Sequence, residues 1–382
     1  MSTLLMKEGK ATFTLPELAE APTRRMKVFY NPVMEENRDI SVLMLQHHQR
    51  SRSAKLAATD LMAGCGVRGL RWALEVCGMG RILLNDVNGL AVEVARRNVE
   101  LNHQTSLVEV YNMEANQFLA LHSSPRRRLD VVDVDPFGSP APYVDSSVRA
   151  IKSGGLLALT ATDLAALTGA ASKACYRRYG SRPLRTEYAF ENAIRILVSF
   201  VSRVAAIHKM GFKPLLCYHR KHYVRVYGVL RYGAEEADGS LRNIGFILHC
   251  VQCRFREQSN SIVNGRCETC GSKLRLIGPL WLGEISNRDT VASILKDLER
   301  RRFRLKKHIK DMLTRMLGEY GMPPTHYVLD DLSSALRVKP PRLEEVIEKL
   351  RASGYRACRV HIPGNRLKTD APVEFIKYVL RP

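Results

Sequence analysis

The sequence predicts an α/β protein built on a doubly wound sheet, followed by two smaller units. Three observations carry this prediction. Short β-branched runs alternate with apolar-periodic helices up to residue 232, which is typical of such a sheet. Two Cys-x-x-Cys pairs follow between residues 250 and 270. The length of 382 residues exceeds one ordinary hydrophobic core, so we expect at least two domains.

The N-terminal arm, residues 1–30, contains one predicted strand at 11–15. A helix follows, which we expect Asn37 to cap and which runs to about Gln49. This places Arg38 in the first turn, where a cation does not complement the helix dipole. Arg38 is therefore either solvated or held there to meet an anion.

The first strand and helix of the sheet enclose a glycine-rich turn. A strand from residue 57 leads into Gly64, Gly66 and Gly69, and an apolar-periodic helix follows. Glycines allow the backbone to approach a nucleotide closely, while the helix N-terminus offers free N–H groups. The next strand, 81–86, ends in Asp86, which lies 17 residues beyond Gly69. We expect Asp86 to accept both ribose hydroxyls of an adenosine.

A helix at 91–101 and a strand at 106–110 continue the alternation and lead to Glu114. Two interpretations of Glu114 remain open. It is either a contact for the edge of an adenine ring or a solvated acid that caps the helix at 116–121.

The central strand carries the residues most suggestive of chemistry. Val131, Val132 and Val134 suit a buried strand, and Pro136 ends it by removing a ladder donor. Asp135 then lies at the carboxyl edge, where open α/β sheets bind ligands. A carboxylate, a free carbonyl and the Phe137 ring converging there suit a flat substrate. The alternative is a plain strand end and turn.

The remaining elements complete the sheet. We predict a helix at 141–151, a buried strand at 155–162, a helix at 191–208, and strands at 213–218 and 223–232.

The two cysteine pairs predict a structural zinc site. Cys250 and Cys253 are separated by thirteen residues from Cys267 and Cys270. Each pair forms a turn that presents two thiolates, and two such turns close a tetrahedral shell with no open position. We expect Zn²⁺ there, in a ribbon spanning residues 246–278.

The C-terminal part is predicted as an α+β unit. Residues 278–283 are expected to separate it from the ribbon, and 300–310 to form a basic helix. Two short helices at 330–337 and 342–353, followed by strands at 356–362 and 373–378, resemble a winged helix. The predicted domains are therefore 1–245, 246–278 and 279–382.

The charge balance indicates a polyanionic partner. The chain has 59 Lys and Arg against 38 Asp and Glu, a formal net charge of +21. No stretch approaches ~18 uncharged apolar residues, so nucleic acid fits better than a membrane. Basic and aromatic residues alternate at 176–185 and 219–225, as suits phosphates and stacked bases. The N-terminal apolar run is too short for a signal peptide, so we expect a cytoplasmic protein.

Five segments together resemble the tRNA (guanine-26-N2)-dimethyltransferase family. They are Asn37-Arg38-Asp39, Gly66-Val-Arg-Gly-Leu-Arg71, Asn85-Asp86, Asp135-Pro-Phe-Gly138 and Thr160-Ala-Thr-Asp163. The resemblance covers nearly the whole chain. It implies a Rossmann-like class I methyltransferase domain that uses S-adenosylmethionine, a C-terminal RNA-binding domain, and tRNA as the partner.

The resemblance also implies roles for individual residues. S-adenosylmethionine would be held by Arg38, Arg68, Asp86, Glu114 and Ala115, and the glycine turn adds Gly64 and Gly66 to this set. The target base would meet Asp135 and Phe137, and the chemistry of the amine adds Pro136. Guanine N2 is a poor nucleophile, because its lone pair is conjugated into the ring. Asp135 and the carbonyl of Pro136 can each accept an N–H, which favours a pyramidal nitrogen, while Phe137 stacks on the extruded base.

Three other interpretations share part of this pattern. A nicotinamide dehydrogenase would use the glycine turn and Asp86, but leaves Asp135-Pro-Phe-Gly138 and the net charge without a role. Another RNA or DNA amino-methyltransferase would use the same motif, and a substrate assay separates it. A non-catalytic zinc-ribbon RNA-binding protein would need an inactive cofactor site, which S-adenosylmethionine binding tests.

Overall fold

The structure is a computed structural model and describes residues 4–17 and 26–381. A two-stranded hairpin comes first, with β1 (Leu4–Glu8) and β2 (Ala11–Leu15). The central sheet then contains β3 (Leu56–Asp60), β4 (Met79–Asn85), β5 (Val108–Tyr111), β6 (Leu129–Val134), β7 (Ile151–Ala161), β8 (Met210–Arg220) and β9 (Tyr223–Tyr232).

The strand order is β5-β4-β3-β6-β7-β9-β8. The first five of these strands are parallel, whereas β9 runs antiparallel to both β7 and β8. The predicted α/β class is thus confirmed, with a mixed sheet at its centre. The tight turn between β8 and β9 explains the antiparallel pair, since parallel neighbours need a longer crossover.

Helices cover both faces of the sheet. They are α1 (Glu35–Arg50), α2 (Val67–Glu75), α3 (Gly89–Leu101), α4 (Ala115–Leu121), α5 (Ala141–Ala150), α6 (Leu164–Leu167), α7 (Ser172–Tyr179), α8 (Ala189–Ile207) and α9 (Ala234–Leu241). Along β6 the side chains alternate between two cores. Val131 joins the core of α1 to α3, while Val132 and Val134 join the core of α5 and α8.

The first helix starts earlier than predicted. A 3-10 turn at Pro32–Met34 precedes α1, and the Asn31 side chain accepts the N–H of Val33 at 2.9 Å. Asn37 is therefore buried inside the helix and does not cap it. Glu35 and Glu36 occupy the first turn, where acids complement the helix dipole.

The arm is tied to the core by a buried carboxylate. Glu8 of β1 pairs with Arg38 of α1 (2.5 Å) and Arg71 of α2 (3.0 Å), and it accepts the Tyr30 hydroxyl at 3.0 Å. Burial alone would raise the pKa of Glu8, but the two guanidiniums lower it to about 2. Glu8 is therefore a buried anion held between two cations.

A three-stranded antiparallel sheet follows the central one. It contains β10 (Ile244–His249), β11 (Arg256–Ser259) and β12 (Arg275–Trp281), in the order β11-β10-β12. The segment 278–283, predicted as a separator, mostly belongs to β12. Ile277, Leu280 and Trp281 explain this, because they are buried in the same core as α8.

The C-terminal elements are α10 (Arg288–Glu299), α11 (Lys306–Gly318), β13 (Tyr327–Val328), α12 (Leu329–Leu336), α13 (Leu343–Ala352), β14 (Ala357–Arg359), β15 (Arg366–Thr369) and α14 (Val373–Leu380). The helix α10 was not predicted, and it shares a core with α1 together with α11. The basic run 300–310 becomes helical only from Lys306.

The last element is a helix, whereas the sequence predicted a strand at 373–378. Its β-branched and aromatic residues suit either state. The buried positions Val373, Ile376, Val379 and Leu380 follow the helical period and pack on α12 and α13.

A buried charged cluster joins α8 to the C-terminal elements. We call it the interface cluster and define it as Glu191, Arg195, Glu319, His326, His361 and Lys368. Lys368 Nζ lies 2.7 Å from Glu191 and 3.2 Å from Glu319, while His361 Nδ1 lies 2.7 Å from Glu319. Arg195 pairs with Glu191 at 2.8 Å. Each of the two carboxylates thus meets a fixed cation.

In the part of the chain that the structure describes, no helix is both long and apolar enough to cross a lipid bilayer.

Candidate active site

A cleft of about 610 Å³ opens at the carboxyl ends of β3, β4 and β6. Its walls come from the segments that follow those strands, from the start of α4, and from the arm. This is the edge at which an open α/β sheet binds ligands, and the volume suits a nucleotide-sized molecule.

One end of the cleft contains the glycine turn and Asp86. The Asp86 carboxylate accepts the N–H of Gly64 at 2.8 Å and the N–H of Asn88 at 2.9 Å. Each oxygen retains capacity for a further hydrogen bond. Gly64 has a φ of 53°, and a Cβ there would lie 2.7 Å from the carbonyl oxygen of Phe29. Both the conformation and the close contact require glycine.

Gly66 has a different position from Gly64. It lies outside the cleft walls, at the N-terminus of α2, with a φ of 82°. A Cβ there would come within 3.1 Å of Leu84 and 3.3 Å of Ala95. Gly66 thus allows α2 to pack closely on the sheet and on α3.

Glu114 and Ala115 line the cleft at the start of α4. The Glu114 side chain accepts the N–H of Gln117 at 3.0 Å, so it caps the helix. It does so while exposed on the cleft wall. Glu114 can therefore cap α4 and still reach the edge of an adenine ring, so the two interpretations that the sequence left open are compatible.

Arg38 lines the cleft as well, and its guanidinium is fixed by Glu8. Arg38 Nε lies 2.7 Å from Glu8 Oε1, and Arg38 Nη2 donates to the carbonyl of Asn31 at 3.0 Å. Glu8 raises the pKa of Arg38 despite burial. The Arg38 guanidinium therefore stays charged, and its partners fix its position on the cleft wall.

Arg68 lies beneath the cleft and is not part of its wall. Its Nη2 atom pairs directly with Asp135, and Nη1 donates to Asn37 at 2.8 Å. Asp133 lies 3.6 Å away and Asp60 3.9 Å away. Arg68 thus fixes the carboxylate that the sequence singled out for chemistry.

A second arginine completes this group. Arg225 of β9 pairs with Asp133 through both terminal nitrogens, one of them at 3.1 Å, and donates to Thr160 at 2.8 Å. We call Arg68, Arg225, Asp60, Asp133 and Asp135 the arginine–aspartate cluster. Burial raises the pKa of Asp60 to about 7, against the opposing effect of Arg68.

Asp135, Pro136 and Phe137 form the other wall of the cleft. The Phe137 ring is 44% exposed and meets Phe29 of the arm edge to face, with centroids 4.5 Å apart. The following Gly138 exchanges hydrogen bonds with Thr162, at 2.7 and 2.9 Å. The φ of Gly138 is 88°, so the conformation of the turn is enough to explain why glycine occupies this position.

Several cleft residues were not singled out by the sequence reasoning, among them Phe29, Tyr143 and His222. Phe29 comes from the arm and carries no recognisable signal. Tyr143 belongs to α5. His222 lies in the turn between β8 and β9, inside a basic stretch that was noted only as a possible RNA contact. Burial lowers the pKa of His222 below its usual value, and Lys221 adds to this effect, so the ring is neutral near pH 7.

The four predicted zinc ligands converge away from this cleft. The pairs Cys250–Cys253 and Cys267–Cys270 flank β11, and all four Sγ atoms lie within 4.8 Å of one another. Cys250 and Cys270 are 3.4 Å apart, as are Cys253 and Cys267. Zn–S bonds of about 2.3 Å in a tetrahedron place sulfurs roughly 3.8 Å apart, so this set fits zinc.

Comparison with known proteins gives a consistent result. The chain matches the family model for N2,N2-dimethylguanosine tRNA methyltransferase over residues 9–381. A tRNA (guanine(26)-N(2))-dimethyltransferase from Methanothermobacter thermautotrophicus is 38% identical over 379 residues, covering 99% of this chain and 98% of that protein. A tRNA (guanine(26)-N(2)/guanine(27)-N(2))-dimethyltransferase from Aquifex aeolicus is 32% identical, covering 97% and 94%. Trm1 from Pyrococcus horikoshii, solved with S-adenosyl-L-methionine, matches with a TM-score of 0.88 and 31% identity, covering 99% of this chain and 100% of that chain.

Proposed function

The chain belongs to the N2,N2-dimethylguanosine tRNA methyltransferase family, and we propose that it dimethylates the exocyclic N2 of guanosine 26 in tRNA. The methyl donor is S-adenosylmethionine. One observation carries the proposal for the site. Asp135, Pro136 and Phe137 line the same cleft as Gly64 and Asp86, so a base-binding motif and a nucleoside-binding motif meet in one cavity.

We propose that the nucleoside part of the donor lies along Gly64, Asp86, Glu114 and Ala115. Asp86 can still accept hydrogen bonds from the ribose hydroxyls, and Glu114 can accept one from the adenine amino group. Arg38 supplies an ordered cation for the methionine carboxylate, and its donors are not exhausted by Glu8 and Asn31. Gly66 contributes indirectly, by allowing α2 to pack.

We propose that Asp135 and Pro136 act on the acceptor amine. Bound S-adenosylmethionine supplies an electrophilic methyl group on its sulfonium. Asp135 accepts one N–H of guanine N2 and the carbonyl of Pro136 accepts the other, which draws the nitrogen lone pair out of conjugation. As the new C–N bond forms and the S–C bond breaks, N2 becomes cationic and its proton passes to Asp135. Phe137 stacks on the extruded base.

Arg68 acts in this proposal as a positioning residue. Its guanidinium holds the Asp135 carboxylate in place, and it is itself fixed by Asn37. A rigid acceptor needs no reorganisation during the reaction, which is how fixed charges contribute most to catalysis. This role differs from a direct cofactor contact, which the resemblance implied.

The second methyl transfer needs only one acceptor. After the first transfer the amine retains a single N–H, and Asp135 alone can accept it. The dimethyl product should therefore form in two successive steps at one site.

Time-resolved product analysis tests the function. Unmodified tRNA is incubated with labelled S-adenosylmethionine, and its nucleosides are separated. Monomethylguanosine should appear first and give way to dimethylguanosine. With enzyme in excess over tRNA, persistence of the monomethyl product contradicts the two-step scheme. A matched tRNA with adenosine at position 26 should not be modified there, and label at position 27 would indicate the wider specificity named for the Aquifex relative.

We further propose one structural zinc ion per chain, held by Cys250, Cys253, Cys267 and Cys270. The ribbon of residues 246–278 would separate a catalytic domain, 1–245, from a tRNA-binding domain, 279–382, in a cytoplasmic enzyme. The α+β arrangement of the last part supports this division, although α10 and α11 also pack against α1. Elemental analysis of protein purified without chelator should find one zinc, and a zinc-free preparation with an intact ribbon would contradict the proposal.

A further inference from the structure

A second concave surface lies between α7 and β12, apart from the cleft. It encloses about 600 Å³ and is lined by Lys173, Tyr176, Arg177, Arg182 and Arg275, with no acidic residue in its walls. All five side chains are exposed. Within the part of the chain that the structure covers, no carboxylate lies within 4.0 Å of these four cations, whereas the neighbouring Arg178 pairs with Asp163 at 2.9 Å. The groove therefore carries uncompensated positive charge.

The groove also contains a pre-formed flat surface. The Tyr176 ring is 54% exposed, and the guanidinium of Arg182 lies 5.1 Å from its centroid. The backbone of Arg182 is fixed to Gly278 of β12 by two hydrogen bonds, at 2.8 and 3.2 Å. An aromatic ring beside a planar cation, held by the backbone, suits stacking against a nucleobase.

The same helix reaches the catalytic loop. The hydroxyl of Tyr179, one turn after Tyr176, is bonded to Ser139 at 2.6 Å and to Asp163 at 2.8 Å. Ser139 follows the Asp135-Pro-Phe-Gly138 segment directly. Tyr176 in the groove and Tyr179 beside the catalytic loop are thus separated by about one helical turn, roughly 5 Å along the axis of α7.

We propose that this groove binds the RNA strand next to the target guanosine, with phosphates on Lys173 and Arg177 and one unpaired base stacked on Tyr176 and Arg182. The inference rests on the proposed function, because extrusion of the target base leaves its neighbours unstacked. Cations combined with an exposed aromatic ring are what a single strand requires. An acidic protein partner would use the cations but would leave the ring and its stacked arginine without a role.

Binding experiments with unmodified tRNA test the proposal without requiring methyl transfer. Tyr176→Ala should weaken tRNA binding by about 5- to 150-fold, the usual range for one lost stacking contact. Tyr176→Phe should bind as the wild type does, because it keeps the ring. Lys173→Gln combined with Arg177→Gln should lower the logarithmic salt slope of binding by about 1.4, if each residue contacts one single-stranded phosphate.

The matched control is Arg126→Gln combined with Arg127→Gln. These arginines are also exposed and lie before β6, at the opposite edge of the sheet. The control removes the same net charge, but at a site outside the groove. It should therefore leave the salt slope near the wild-type value. S-adenosylmethionine affinity should be unchanged in every variant.

Two results would overturn the inference. One is equal loss of tRNA affinity in the groove variants and the control pair. The other is wild-type tRNA affinity in Tyr176→Ala. If Tyr176→Ala does not fold, the charge pair and its control decide the matter alone. A wild-type protein that binds tRNA through the groove but never methylates it would contradict the proposed function and not this inference.

Discussion

The arginine–aspartate cluster and the interface cluster both bury several charges. Asp135 of the first lines a cleft of about 610 Å³, whereas the cavity that Arg195, Glu319 and Lys368 of the second line encloses about 10 Å³. In the interface cluster two carboxylates, Glu191 and Glu319, meet Lys368 and Arg195. In the arginine–aspartate cluster three carboxylates share two guanidiniums, and one of them, Asp135, is 18% exposed on the cleft wall. Burial of charge therefore does not identify a functional site by itself. A buried charge network with a carboxylate that reaches a ligand-sized cleft is the better indicator.

One of the two histidines of the interface cluster supports this distinction. His326 Nε2 accepts from Arg366 at 2.9 Å, so Nδ1 carries the proton and donates to Glu191 at an N–O distance of 3.0 Å. Burial lowers the pKa of His326 even though Glu191 opposes the shift. The ring is neutral and serves as a hydrogen-bonding link, which leaves the interface cluster balanced. In the arginine–aspartate cluster, by contrast, a third carboxylate is present, and burial raises the pKa of Asp60 to about 7.

The largest expected effect is a loss of folding stability when the interface cluster is changed, without a loss of cofactor affinity. Lys368→Met leaves Glu191 and Glu319 without their shared cation, and should lower the free energy of unfolding by about 3–5 kcal/mol. Denaturant unfolding measures this change. The control Lys377→Met removes an α14 lysine with an exposed partner, Glu374, and should change it by less than about 1 kcal/mol. Loss of S-adenosylmethionine affinity in folded Lys368→Met would erase the distinction between the clusters.

In the cleft, Asp135→Ala should lower turnover by at least about 10²- to 10³-fold, because the fixed acceptor of the N–H is lost. Cofactor affinity should stay nearly unchanged, as measured by equilibrium binding. Asp145→Ala, which removes an exposed acid on α5, provides the matched control. Near-normal turnover of Asp135→Ala would refute the mechanism.

Asp86→Ala should have the opposite pattern. Losing hydrogen bonds to a charged group should weaken S-adenosylmethionine binding by about 1.5–3 kcal/mol, while turnover at saturating cofactor stays close to normal. Calorimetric titration gives the affinity, and Glu93→Ala on the exposed face of α3 is the control. An unchanged dissociation constant would place the ribose contact elsewhere.

The smallest effect concerns pH. Burial alone would raise the pKa of Glu319, but His361 and Lys368 lower it to about 2, from 4.5 in the unfolded chain. As pH falls, the unfolded state therefore takes up this proton before the folded state does. The free energy of unfolding decreases as pH falls from about 4.5 toward 2. Glu319→Gln should reduce that loss by about 1 kcal/mol per pH unit in this window. Parallel acid unfolding curves for both proteins would contradict the assignment.

The sequence predicted the parts of the site that depend on local pattern. Strand ends and glycine spacing located Asp86, Gly64 and Asp135, and cysteine spacing located the thiolate cluster. The pairing of Arg68 with Asp135 could not be predicted, since it depends on how α2 packs against the sheet. Phe29 reaches the cleft from an arm without a periodic signal. The strand predicted at 373–378 failed because propensity is ambiguous there and packing on α12 and α13 decides.

The carboxylate of Glu8 has a practical consequence for anyone who trims or extends this protein. Removing the first ten residues would delete Glu8, the carboxylate that pairs with the buried Arg38, whereas Arg71 would keep Asp39 and Glu75 as partners. A fusion partner placed ahead of Leu4 carries no such penalty, because Leu4 and Leu5 point into water. The first strand of the hairpin thus tolerates an addition at its exposed end, but its removal would destabilise the packing around Arg38.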